Sequence, residues 1–110
     1  MQEAAFSITV QDLARMRDDG EPVCILDIRE PWEVAICAIP GSMHVPLAKL
    51  AQCVDDLPSD RPVVALCHHG ARSARATTFL RSKGLALAVN LEGGIDAWAV
   101  RIDPTVRLYD

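Results

Sequence analysis

The chain has 110 residues, 50% of them hydrophobic, enough for one domain with a core that needs no disulfide or metal staple. Its 11 lysines and arginines against 15 aspartates and glutamates give a formal net charge of −4, and no basic tract occurs, which argues against nucleic acid as a partner. Four cysteines without a C-x-x-C pair point away from a disulfide framework or zinc knuckle and towards a reducing cytoplasm. Met1 to Ser7 has neither the basic region nor the apolar core of a signal peptide, and no apolar run approaches the roughly 18 residues of a membrane span. A soluble, cytoplasmic single domain over 1–110, with no membrane partner, is the expectation.

In chain order the pattern alternates strands and helices, as a parallel sheet covered by helices requires. Ile8-Thr9-Val10 reads as a short extended entry and Gln11 to Arg17 as a helix with Leu13 and Met16 inward, stopped by Asp18-Asp19-Gly20-Glu21-Pro22. Val23 to Ile28 reads as a strand buried on both faces, because its apolar run is continuous rather than alternating. Pro31 opens a short helix through Ile36, Ile39-Pro40-Gly41-Ser42 makes a turn, and Met43-His44-Val45 is a short strand closed by Pro46. Leu47 to Leu57 is expected to be helical with Leu50, Val54 and Leu57 on one face, ending at Pro58-Ser59-Asp60. Pro62 to Leu66 is a second buried strand, and Ser73 to Lys83 a helix capped by Gly84. Ala86 to Leu91 is the last strand, and Gly93-Gly94 precedes a short helix whose Trp98 is assigned to the core. The residues after Ala99 read as a tail in which Val106, Leu108 and Tyr109 are candidates for docking on the domain.

The segment Cys67-His68-His69-Gly70-Ala71-Arg72-Ser73 joins a buried strand to a helix, the edge of a parallel sheet where ligands bind. A cysteine there faces free backbone N–H groups and the positive end of a helix dipole, which suit an anionic sulfur nucleophile. Gly70 permits the positive φ that lets amides converge, and Arg72 adds a permanent cation for an anionic substrate. Cys24, Cys37 and Cys53 lack this setting and read as small buried hydrophobes.

With these motifs in place the chain resembles the rhodanese family of sulfurtransferases over about residues 7–99, leaving 100–110 as a tail. Leu26-Asp27-Ile28-Arg29-Glu30-Pro31-Trp32-Glu33 is similar to the family's D-[VI]-R-E-x-x-E stretch and Ile39-Pro40-Gly41-Ser42 to its I-P-G-A turn. Asn90 to Trp98 is similar to its L-x-G-G-x-x-x-W signature, and between them lies the C-x-x-G-x-R active loop. The resemblance implies a three-layer α/β domain with a mainly parallel five-stranded sheet. It also implies covalent catalysis in which Cys67 takes sulfur from a donor such as thiosulfate, the amides of residues 68–72 cradle the anion, and a cyanide or thiol acceptor removes the sulfur, with no cofactor. Thiosulfate-using relatives often carry Arg or Lys in the loop, where this chain has His68, His69 and Ala71.

Other readings are set beside it. Related phosphatases and arsenate reductases have a C-x5-R loop wide enough for a tetrahedral phosphoryl group, whereas this one is C-x4-R and suits a persulfide better. A partner-dependent sulfur carrier, delivering to a sulfur-accepting protein, or a regulatory binding module is the alternative from a different class. A metal site from His44, His68, His69 and Cys67 is disfavoured, since adjacent histidines rarely converge on one ion. Asp27 and Arg29 are either catalytic or a structural ion pair, and Glu92 is a candidate brace for the loop.

Overall fold

The computed structural model describes residues 5–110; Met1 to Ala4, part of the stretch read above for a leader, lie outside the described residues. Strands β1 (Ser7–Ile8), β2 (Cys24–Asp27), β3 (Met43–His44), β4 (Val63–Leu66) and β5 (Ala88–Leu91) alternate with helices α1 (Val10–Asp18), α2 (Pro31–Ile36), α3 (Leu50–Cys53), α4 (Ala71–Ser82) and α5 (Gly94–Arg101). The five strands form one sheet in the order β1-β5-β4-β2-β3, and every pairing is parallel. All four residues of β4, its central strand, are buried, which accounts for the unbroken apolar run there.

Because side chains alternate across a strand, β4 sends Val64 and Leu66 into a core with Val10, Leu13, Ile95 and Trp98. Val63 and Ala65 enter a second core with Leu50, Ala76 and Leu80. Helices on both faces of the sheet make the three layers expected from the sequence. None of the described helices is long and apolar enough to cross a membrane.

The strand order also places the site. From β2 the chain runs outward to β3, and from β4 it runs the opposite way to β5. Their loops part above the carboxyl ends of the two neighbouring strands and leave a crevice between them. Asp27 pairs with Leu66 in the ladder, so the segments that follow, Ile28-Arg29 and Cys67-His68, enter that crevice side by side.

Several element bounds differ from expectation. Thr9 caps α1 in a reciprocal capping box with Asp12, so Val10 is helical rather than extended. Val23, Ile28 and Val45 flank their strands instead of pairing within them, and α4 starts at Ala71 rather than Ser73. The β5 ladder begins at Ala88 because the preceding residues turn, with the Ala88 N–H donating to the Leu85 carbonyl at 3.1 Å. Leu47 to Leu57 is not one helix: 3₁₀ turns at Leu47–Lys49 and Val54–Asp56 flank α3. β-Branched Val54 and the acidic pair Asp55-Asp56 oppose helical continuation at its negative end, and the tighter turn still buries Leu50 and Leu57. In the tail Val106 is buried but Leu108 is 55% exposed, so only part of the expected docking occurs.

Candidate active site

Cys67 follows the last residue of β4 and is 1% exposed. Its Sγ receives the Gly70 N–H at 3.0 Å and the Ser73 N–H at 3.4 Å, and the Ser73 hydroxyl lies 3.3 Å away. Gly70 has φ +115°, a conformation open to glycine, and this turns its amide back onto the sulfur. The first-turn amides of Ala71 and Arg72 have no acceptor within their own helix, which leaves them available to an anion. Beneath the loop, the N–H groups of Ile95 and Asp96 at the start of α5 donate to the carbonyls of Cys67 (2.9 Å) and His68 (3.1 Å). Gly94 makes that approach possible, since a Cβ there would overlap both carbonyl groups.

The Ser73 hydroxyl, with one hydrogen to give, stands among Sγ, the Gly70 carbonyl at 3.2 Å and Asn90 Oδ1 at 2.5 Å. Donation to Asn90 leaves its oxygen free to accept from a neutral Cys67 thiol. Rotation towards sulfur instead gives a third donor to a thiolate.

Arg72 does not reach openly into the loop. Its two terminal nitrogens meet the two oxygens of Glu33 at 2.7 and 2.8 Å, a bidentate pair joining α4 to α2. Glu33 is 2% exposed. Arg72 chiefly, helped by Tyr109 and the Glu30 N–H and opposed by burial, holds the Glu33 carboxyl down at about 2. Asp27 and Arg29, both fully buried, form a second bidentate pair, with Nη2–Oδ2 at 2.7 Å and Nε–Oδ1 at 3.0 Å. Burial works against the Arg29 charge, but Asp27 and then Tyr109 raise its pKa overall. Arg29 also donates to the Cys37 carbonyl at 2.7 Å, and its own carbonyl meets His44 Nε2 at 2.8 Å. The pair therefore ties β2 to the end of α2 behind the loop.

His68 is stacked against His69 (centroids 3.9 Å apart, planes at 29°) and against Tyr109 (3.9 Å, 8°). Its Nε2 is buried and takes no partner among the described residues. His69 and Ala71 are exposed. His68, His69 and Asp96 bring one ligand atom each within 4.8 Å of one another, the metal-compatible grouping among the described residues. The two imidazoles of this grouping are stacked on each other, their planes 29° apart.

Thus Cys67, Gly70 and Ser73 come together at the sulfur, with Arg72, Asp27 and Arg29 bracing from behind. Glu92 is exposed and borders a shallow depression with Gln11 and Arg101, away from these bonds. Sequence reasoning left Glu33, Asn90, Gly94 and Tyr109 without a site role. Asn90 had a legible signal, being the one polar side chain in a strand buried throughout.

Residues 9–101 match the model of the rhodanese-like domain. A sulfurtransferase of Allochromatium vinosum is 38% identical over 92 residues, which are 84% of this chain and 86% of that protein. The probable adenylyltransferase/sulfurtransferase MoeZ of Mycobacterium tuberculosis is 35% identical over 105 residues; the match takes in 94% of this chain but spans 27% of that longer protein. A solved structure of a rhodanese-related protein from Thermoplasma volcanium matches with a TM-score of 0.82 and 34% identity, covering 96% of this chain and 100% of that one.

Proposed function

The chain belongs to the rhodanese-like domain family, and from that membership we propose that it is a sulfurtransferase carrying sulfane sulfur as a persulfide on Cys67. The Cys67 thiolate attacks the outer sulfur of a donor. With thiosulfate the S–S bond breaks, its electron pair leaves with sulfite, and the persulfide remains. A nucleophile, cyanide in an assay or a thiol, then attacks the terminal sulfur, and the electron pair of that bond returns to Cys67 as thiolate. The observation that carries this reading is the convergence of the Gly70 and Ser73 N–H groups on one sulfur at the head of a C-x4-R loop. Fixed donors of this kind stabilise the sulfur anion before and after transfer. The amides of His68 to Arg72 serve the persulfide in the same way, and the cytoplasm suits its reduced thiol.

The donor is a small sulfane compound, with thiosulfate disfavoured in affinity because Glu33 already offsets the charge of Arg72. That same neutralisation favours a second reading, a carrier charged by a protein persulfide and discharged to a sulfur-accepting protein. The sulfurtransferase names of the relatives support the common chemistry of both.

Intact-mass measurement before and after thiosulfate tests the first reading. One added sulfur atom, removed by cyanide, is expected in the wild type and in the Ser variants of Cys24, Cys37 and Cys53, and none in Cys67→Ser. Persistent sulfur uptake by Cys67→Ser would refute the assignment. Uptake from a protein persulfide but not from thiosulfate selects the carrier.

A further inference from the structure

The tail beyond the family match returns one side chain to the loop. Ile102 and Asp103 both donate their N–H to the Trp98 carbonyl at 2.9 Å, and Val106 anchors in the core, which carries Tyr109 back over α2. Its hydroxyl lies 2.6 Å from Glu33 Oε2 and 3.1 Å from Arg29 Nη1. A carboxylate cannot donate and a guanidinium cannot accept, so the hydroxyl must donate to Glu33 and accept from Arg29. Its ring makes the second contact. Two rings each 3.9 Å from the His68 imidazole and nearly parallel to it cannot share one face, so His68 is the middle of a Tyr109-His68-His69 stack. Trp32 meets Tyr109 edge-on at 6.0 Å from the outer side.

We propose that Tyr109 is a positioning residue for the Cys67 loop, its hydroxyl joining the Asp27–Arg29 pair to the Glu33–Arg72 pair and its ring setting the plane of His68. One chain of hydrogen bonds then links Asp27, Arg29, Tyr109, Glu33 and Arg72, with Arg29 donating to both its neighbours, Glu33 accepting from both of its own, and the charges cancelling. It ends on the helix turn whose neighbouring amide meets Sγ. The stack acts on the other side of the loop, at the residue directly after the nucleophile, whose carbonyl is already held by α5. Without Tyr109, Glu33 Oε2 keeps only its Arg72 bond and one face of His68 opens. The loop amides lose definition around sulfur, and a small misplacement there is costly in rate.

The kinetic part of this inference rests on the sulfur-transfer reading; the structural part does not. The test uses the full chain as Tyr109→Phe, Tyr109→Ala and, as a control, Leu108→Ser at the exposed neighbour. Three quantities are read: iodoacetamide alkylation of the Cys67 peptide at pH 7, the His68 ring resonances by NMR, and kcat and KM for sulfur transfer. Tyr109→Phe keeps the stack and loses both hydrogen bonds of the hydroxyl; it should preserve the His68 resonances while lowering alkylation and kcat about fivefold, equivalent to about 1 kcal/mol, with KM within about twofold. Tyr109→Ala should also shift the His68 resonances and lower both rates about twentyfold. Leu108→Ser should match the wild type. Wild-type alkylation in both Tyr109 variants, His68 resonances unmoved in Tyr109→Ala, or rate losses that merely track thermal unfolding overturn the proposal. If the wild type takes up no sulfur the transferase reading fails, and alkylation with the His68 resonances still decides this one.

Discussion

The shape of Arg72 counts for more than its charge. Glu33 presents two oxygens to two nitrogens, and an ammonium on a flexible stem fills only one of those places. Arg72→Lys should therefore lose sulfur-transfer activity nearly as far as Arg72→Ala, both by about tenfold or more. A Lys variant close to the wild type would indicate simple charge attraction. Glu33 carries the pH dependence of the same pair. Its carboxyl, lowered from 4.5 to about 2, contributes stability that is complete above pH 4.5 and is lost as pH falls through about 2. Since the Arg72 side chain is 29% exposed, solvent screening brings that contribution to on the order of 2 kcal/mol. Urea unfolding of Glu33→Gln should show this deficit at pH 7 and a narrowing gap towards pH 3. A gap that stays constant over that range would mean the carboxylate charge contributes nothing.

Helix α5 acts on the loop through its first turn. Gly94 has φ +59° and no room for a Cβ against the Cys67 and His68 carbonyls, whereas Gly20, at φ +70°, has open space. Gly94→Ala should cost about 3 kcal/mol or more, from the left-handed backbone and the overlap together, and should lower sulfur transfer as the loop is pushed out. Gly20→Ala should cost only about 1 kcal/mol and leave transfer intact. Equal losses in thermal and kinetic assays of the two variants would show that the close approach carries no weight. The elements themselves were largely legible because buried parallel strands write themselves as unbroken apolar runs ended by Gly, Pro and Asp, which is why β2 and β4 were found to within a residue at most. The braces were not, because they join distant segments: Glu33 to Arg72 across 39 positions and Tyr109 to Glu33 across 76. Local pattern reports which face a residue occupies but not which element will lie opposite. Asp27 and Arg29, two positions apart in sequence and bonded, were visible as a pair for that reason, while Tyr109 looked like any apolar tail residue. Glu92, a candidate brace in the sequence, has an exposed side chain at the turn that brings the α5 amides to the loop.

Across the whole molecule, the crevice between β2 and β4 holds a sulfur faced by dipoles but little net cation, inside a protein of formal charge −4. Two fields thus act on an anionic donor. Amides and the α4 dipole attract it within a few ångströms, a contact interaction that salt in bulk water barely screens. The net charge repels it at longer range, where screening is effective, because the Debye length falls from about 30 Å at 0.01 M to about 8 Å at 0.15 M ionic strength. Paired Arg72 and Arg29 add little to oppose that repulsion, since Glu33 and Asp27 sit against them at 2.7 Å. The kcat/KM for the thiosulfate dianion should accordingly rise with added inert salt, by about two- to threefold over that range, while an uncharged persulfide donor should show no slope. His69→Arg, at an exposed loop position, places a permanent cation at the mouth and should both lower the thiosulfate KM and flatten or reverse its salt dependence. A wild-type rate that instead falls with salt would reveal an attractive field at the loop and would refute the view that its arginines are neutralised.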